Sequence, residues 1–174
     1  GPVRIWVAGC STGEEAYSMA ICLDEFLEDF LPGMRVQVFA SDISESAIRK
    51  ARAGVYSADD IKTISEKRLK KYFRKQDGGY EVNKSIRDIC VFDQHNFLKD
   101  PPFAKMDLIS CRNVLIYMDY FLQKKALTTF HYALKPTGHL LLGRSETATG
   151  VQELFTPVNK HDKIYSRKSV PGRF

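Results

Sequence analysis

The spacing of apolar positions changes along the chain, and each change marks an element. Val3–Ala8 (VRIWVA) is a short apolar run that ends in small residues and glycine, whereas Glu14–Phe30 places its apolar residues at helical intervals. A strand, a tight loop and a helix are predicted. Residues 36–40 (VQVFA) predict a second strand, followed by Ser41, Asp42 and a helix from about Ser44 to Ala53 that stops at Gly54. Residues 89–92 and 107–110 predict two more strands. Residues 120–134 predict a long amphipathic helix ended by Pro136 and Gly138, and residues 139–143 a fifth strand. Strands alternating with helices imply an α/β fold in which helices cover both faces of a parallel sheet.

Two stretches break this rhythm. Residues 61–87 carry a basic run (KRLKKYFRK) and then Asp77, Gly78 and Gly79 between short strand-like flanks, the signature of a β-hairpin. A small inserted antiparallel hairpin subdomain, about residues 67–92, is expected. Residues 154–167 predict two short strands around a polar turn, closing the sheet edge as an antiparallel pair, and residues 168–174 predict a frayed tail.

Composition narrows the class. With 174 residues, 44% of them hydrophobic, the chain can bury one core of ordinary size, so residues 1–174 are expected to form one domain. No run approaches the roughly 18 to 20 apolar residues of a membrane span, and the start lacks signal-peptide zones, which predicts a cytoplasmic protein without membrane insertion. The chain opens directly on a strand, which predicts a domain cut from a longer protein. Cys10, Cys22, Cys90 and Cys111 stand singly without CxxC pairing, so reduced core thiols are expected, with no metal site. The net charge of +5 invites a nucleic-acid reading, but the basic residues are scattered among 21 acidic ones. An acidic partner surface is also compatible.

The candidate chemistry gathers at the predicted carboxyl ends of the strands. In the loop AGCSTGEEAYS, Gly9 and Gly13 permit a tight turn around Ser11, and the following helix offers free N–H groups to a ligand. Glu14 and Glu15 occupy the first helical turn, where they repel a pyrophosphate and attract a cation, favouring an amino group or sulfonium over a nicotinamide dinucleotide. Alternatively, they simply complement the helix dipole. Asp42 follows the second strand, where a carboxylate can accept both ribose hydroxyls of a nucleoside, or can cap the next helix with Ser41 or Ser44. In DQHNFL, Asn96 can present an amide and Phe97 a flat face to adenine, or both can belong to an ordinary turn; His95 reads as a surface histidine. In CRNVLIYMD, Arg112 and Asn113 leave the fourth strand at the same edge. Tyr117 lies beside the pocket or in the core. The DPPF at residues 100–103 resembles the motif of adenine N6 methyltransferases but precedes the fourth strand instead of following it, so it reads as a connector.

In this order, the stretches RIWVAGCSTGEEAYSMAI, VFASDISESAIRKARAGVY, HNFL, FAKMDLISCRNVLIYMD and FHYALKPTGHLLLGRSET resemble the CheR family of chemotaxis receptor methyltransferases, protein-glutamate O-methyltransferases. The resemblance implies a class I S-adenosylmethionine-dependent methyltransferase (Rossmann-like) sheet with S-adenosylmethionine, and S-adenosylhomocysteine as product, across its carboxyl edge. It implies that Glu15, with Glu14, faces the methionine or its amino group, Asp42 the ribose, Asn96 and Phe97 the adenine, and Arg112 with Asn113 the reactive end. Tyr117 would stand near the transferred methyl group. The implied partner is a methyl-accepting chemotaxis receptor or related signalling protein.

Family members usually carry a helical N-terminal domain with further cofactor contacts; it is absent from this sequence. The hairpin, taken as residues 72–92, reads as shorter than in members tethered to a receptor's C-terminal peptide, so no such tether is expected. The passages around residues 130–147 and 154–168 resemble versions fused to methylesterase and sensor domains, which implies a multidomain parent. Two rivals stand beside the enzyme: a noncatalytic module binding S-adenosylmethionine or its product as a sensor or docking surface, and a nicotinamide oxidoreductase, disfavoured by Glu14 and Glu15.

Overall fold

The computed structural model describes residues 1–148 and 150–169. Its first strand, β1 (Val3–Ala8), is buried on both sides, and its side chains alternate between two cores. Ile5 and Val7 enter one cluster, Trp6 and Ala8 the other. Such a strand must lie inside the sheet, and β1 pairs in parallel with both β2 (Val36–Asp42) and β7 (Met106–Cys111). The sheet has seven strands in the order β6-β2-β1-β7-β8-β10-β9, with β6 spanning Cys90–Gln94, β8 Leu134–Leu142, β9 Phe155–Asn159 and β10 Ile164–Arg167. All neighbours from β6 to β8 are parallel, and β10 runs antiparallel between β8 and β9. The order therefore reverses beside β1, which opens a crevice at the carboxyl ends of β1, β2 and β7.

Two helices follow these strands as expected. The helix α1 (Glu14–Phe30) starts at Gly13, and α2 (Glu45–Ala53) is capped by Ser44, whose side chain accepts from the Ala47 N–H. Gly54 ends α2 in the left-handed region at φ 65°.

The insertion differs from a plain hairpin. It begins immediately after Gly54 with a two-residue strand, β3 (Val55–Tyr56), and continues through α3 (Glu66–Tyr72), β4 (Phe73–Gln76), β5 (Gly79–Val82) and the single turn α4 (Lys84–Arg87). Three strands form its sheet, in the order β3-β5-β4, and residues 90–92 of the expected range belong to β6. The basic run fills most of α3 and continues into β4. Arg68 reaches Glu25 at 2.7 Å and Lys71 reaches Glu28 at 2.9 Å on α1, while the Tyr72 hydroxyl donates to Asp24 at 2.9 Å. Tyr56, Phe73, Val82 and Ile86 are buried in the same cluster as Ile5 and Val7, so the insertion extends the main core instead of building its own.

Further along, α5 (Tyr120–Ala133) runs directly into β8, and Pro136 and Gly138, expected to follow a helix end, lie inside that strand. The register jumps from Met106↔Leu134 to Leu108↔His139, so a bulge accommodates the proline without a ladder donor. At the C-terminal end, Lys168 is tied down rather than frayed. Its N–H donates to the Leu154 carbonyl at 2.8 Å and its Nζ to the Gln152 carbonyl at 2.8 Å. Residues 170–174 of the expected tail lie outside the described residues. Among the described residues, no helix is long and apolar enough to cross a membrane, and no cluster of ligands could hold a metal ion. Cys10, Cys90 and Cys111 are buried free thiols, but Cys22 is exposed.

His131 of α5 is buried, donating from Nε2 to the Lys168 carbonyl at 2.8 Å with Nδ1 unpartnered. Burial pushes its pKa below the ordinary value. The unfolded chain, with a histidine pKa near about 6.5, then binds a proton that the folded chain refuses, so stability falls as pH drops through that value. Thermal unfolding is expected at a lower temperature at pH 5.5 than at pH 7.5. His131→Gln, which keeps an N–H donor and cannot titrate, is expected to shrink that difference.

Candidate functional site

The loop after β1 turns tightly because two of its residues adopt backbone angles suited to glycine, Gly9 at φ 75° and Gly13 at φ 97°, with Ser11 between them at φ 50°. The N–H groups of Gly9 and Cys10 both donate to the Ser41 carbonyl at 2.8 Å, and the Ser41 hydroxyl accepts from Trp6 Nε1 at 2.9 Å. The ends of β1 and β2 are thus locked together. The Tyr56 hydroxyl donates to the Thr12 carbonyl at 2.6 Å, so the insertion braces the same loop from outside.

Asp42, the last residue of β2, sits beside this loop. One carboxylate oxygen accepts the Ser11 N–H and the other the Ser44 N–H, each at 2.9 Å. The helix cap is Ser44, which leaves Asp42 to join the β1 and β2 loops at the crevice. After β6, Asn96 turns its side-chain oxygen onto the Leu98 N–H at 2.9 Å, and its own N–H donates to Asp100 at 2.8 Å. Phe97 packs its ring 5.3 Å from that of Phe130 while one side lines the crevice. His95 is not a surface histidine. It is 9% exposed, donates from Nε2 to the Pro101 carbonyl at 2.8 Å, and packs against the rings of both Trp6 and Phe103. DPPF is accordingly a structural connector, because its Pro101 and Phe103 hold this histidine.

After β7, Asn113 adopts the left-handed region at φ 61°, and a 3-10 turn over Leu115–Tyr117 brings Tyr117 to the mouth. Tyr117 is 84% exposed, so it is not a core residue. Gly9, Ser11, Asp42, Asn96, Phe97, Asn113 and Tyr117 line a single cleft of about 390 Å³, a volume in the range of ligand sites. A cavity of about 400 Å³ beside Leu27, Leu31, Met34 and Ile89 lies at the amino-terminal edge of the strands, away from all of these residues.

Four expected residues stand apart from the lining. Arg112 pairs with Glu15 at 3.2 Å, and the Ser110 hydroxyl reaches the same glutamate oxygen at 3.4 Å, so the two charged residues hold each other at the rim. Glu14 is bonded by the Thr12 hydroxyl and faces a separate groove with Tyr17, Tyr56 and Ile61, away from the cleft. Gly13 supports rather than lines the cleft: a Cβ there would meet the Ala51 Cβ at 2.8 Å. Cys10 is inert, because burial, and then the Asp42 charge, push its thiol up to about 12.

Sequence reasoning missed Glu146. Its carboxylate is buried behind the loop that carries Arg112 to Tyr117 and bonds the backbone there. The only local signal was the short stretch after β8 in which it lies.

A strand order that reverses beside β1, an acid ending β2 and a glycine turn ending β1 are shared with dinucleotide-binding folds, and the antiparallel β10 inserted between β8 and β9 makes the sheet that of a class I methyltransferase. The glycopeptide N-methyltransferase MtfA has this fold: complexed with sinefungin it aligns at a TM-score of 0.54 and 15% identity over 82% of this chain and 43% of that one. Its complex with S-adenosylmethionine aligns at 0.52 and 16% over 82% and 47%. The chain belongs to the family described as CheR methyltransferase, SAM binding domain, whose model matches residues 1–164.

The chemotaxis protein methyltransferase of Salmonella typhimurium is 39% identical over 165 residues, 90% of this chain and 56% of that protein. An uncharacterized 104.1 kDa protein of Rhodobacter capsulatus is 37% identical over 163 residues, 94% of this chain and 17% of that one. The chain thus spans about half of the first and about a sixth of the second.

The cofactor of this family is S-adenosylmethionine, and the cleft suits it. Among the described residues the lining has no lysine or arginine to meet a pyrophosphate. It offers instead a carboxylate, amides and aromatic faces to a cationic nucleoside, and Gly9 leaves no Cβ between the loop and Val114.

Proposed function

We propose that this chain transfers the methyl group of S-adenosylmethionine to glutamate carboxylates of chemotaxis receptors or related signalling proteins in the cytoplasm, as the catalytic domain of a larger protein. The observation that carries the reading is the cleft itself, where Asp42, Asn96, Phe97 and Tyr117 converge and, among the described residues, no lysine or arginine joins the lining. The relatives that carry the name chemotaxis protein methyltransferase support the substrate class.

When bound, the cofactor supplies an electrophilic methyl group on sulfonium. Asp42 accepts the ribose hydroxyls, Asn96 and Phe97 hold the adenine, and the Glu15–Arg112 pair at the α1 N-terminus receives the amino-acid end. A substrate glutamate, with a pKa near about 4.3 in water, is already ionised at neutral pH, so no side chain need remove a proton. Catalysis then rests on alignment in the cleft, for which effective molarities of order 10⁵ M or more are attainable. Tyr117, at the mouth, positions the incoming carboxylate.

The test is transfer of labelled methyl from S-adenosylmethionine to a purified cytoplasmic receptor fragment, read as base-labile ester and mapped to glutamates. Tyr117→Phe is expected to lower turnover roughly tenfold to a hundredfold, the cost of slight misplacement, while leaving S-adenosylhomocysteine affinity within about twofold. Binding without any labelled glutamate would favour the noncatalytic sensor, and unchanged turnover in Tyr117→Phe would remove that tyrosine from the reaction.

A further inference from the structure

Glu146 lies just past β8 and is 3% exposed. One of its oxygens accepts the N–H groups of Asn113 and Gly143, each at 2.8 Å, and the other accepts those of Val114 at 3.0 Å, Leu115 at 2.7 Å and Ile116 at 3.3 Å. Five backbone donors therefore converge on one carboxylate. A buried carboxylate without such partners costs several kcal/mol; here the backbone dipoles of a tight turn supply the compensation.

The geometry is local to the segment between Arg112 and Tyr117. Asn113 takes φ 61°, and the four successive N–H groups of residues 113–116 turn toward one point as the chain enters the 3-10 turn. Gly143 makes room for the carboxylate: a Cβ there would stand 2.6 Å from the Glu146 oxygen and 2.9 Å from the Asn113 side-chain oxygen. On the opposite side of the segment, a Cβ on Gly9 would lie 2.5 Å from a Val114 methyl. The loop is thus gripped from behind by a charge and in front by the glycine turn of β1.

We propose that Glu146 is a positioning residue: its carboxylate holds residues 113–116 as a preformed turn and so sets where Asn113 and Tyr117 enter the cleft. Its consequence for catalysis rests on the methyltransferase reading, whereas its grip on the loop does not. The carboxylate offers only acceptors, matching the five donors; a primary amide of the same shape turns an N–H₂ toward some of them.

Glu146→Gln tests this by amide hydrogen exchange and calorimetric titration with S-adenosylhomocysteine. The amides of residues 113–116 and 143 are expected to exchange at least about tenfold faster, an opening that matches one lost charged bond, with those of β1, β2 and β7 unchanged. Affinity for S-adenosylhomocysteine is expected to fall by a similar factor. Gly143→Ala, which crowds the carboxylate without removing its charge, is expected to release the same amides and carries the test if Glu146→Gln does not fold. Wild-type exchange at residues 113–116 in a folded variant overturns the proposal. So does an acceleration spread evenly over the sheet, which would make Glu146 a support of the whole fold. Absence of S-adenosylhomocysteine binding to the unsubstituted chain would instead overturn the methyltransferase reading, and the exchange pattern would still decide the role of Glu146.

Discussion

Asp42→Ala is expected to weaken S-adenosylhomocysteine binding by about two to three orders of magnitude in calorimetric titration. Hydrogen bonds to a charged group are worth about 1.5 to 3 kcal/mol each, and a ribose diol engages two of them, so two bonds at the lower end of that range lose about 3 to 4 kcal/mol together. The same substitution frees the Ser11 and Ser44 N–H groups, which the carboxylate holds at 2.9 Å, so the glycine turn loosens as the ligand contact disappears. Asp42→Asn separates these effects. It keeps the shape and one accepting oxygen, and an intermediate affinity would show that charge and loop tie both contribute. Wild-type affinity in Asp42→Ala would place the nucleoside elsewhere and remove the central support of the functional reading.

Gly9→Ala is expected to be the most damaging small substitution in the site. A side chain at φ 75° costs about 1 to 2 kcal/mol, and forcing a methyl against Val114, 2.5 Å away, adds overpacking of about 1 to 3 kcal/mol. A loss of about 2 to 5 kcal/mol corresponds to a fall in unfolding temperature of roughly 5 to 15 °C for a chain of this size, and the cleft should lose its affinity with it. The clash and the backbone strain can be told apart in a Val114→Ala background. There the added methyl finds space, so Gly9→Ala should cost less by about 1 kcal/mol or more. An identical loss in both backgrounds would assign the damage to the backbone angle alone.

Much of this arrangement is legible in the chain. The apolar run of β1, the glycine-containing loop and the helical spacing of α1 are local patterns, and the structure realises them at the predicted positions. Gly54 ends α2 because the left-handed angle there favours glycine. Asp42, Asn96, Phe97, Asn113 and Tyr117 reach one cleft because parallel strands bring their C-terminal loops to the same edge of the sheet.

The features that remained hidden depend on partners far away in sequence. A two-residue strand such as β3 has no period to read, and it forms because β5 lies beside it. Pro136 signals a helix end by itself, yet a bulge against β7 admits it to a strand. His95 looks polar and exposed until Trp6 and Phe103 enclose it. Glu14 and Glu15 are neighbours in sequence with the same charge, but the helical turn sends one toward the insertion and the other toward Arg112, 97 residues away.

The sequence by itself determined the alternation of strands and helices in the main parallel sheet, the crevice edge and most of the residues around the cleft, because each follows from periodicity within one element or from the residue at its end. Only the tertiary structure decided how the loop between Arg112 and Tyr117 is held. The Glu146 carboxylate that grips it comes from 30 to 33 residues further on, and backbone donors, which carry no residue identity, leave no trace in a sequence.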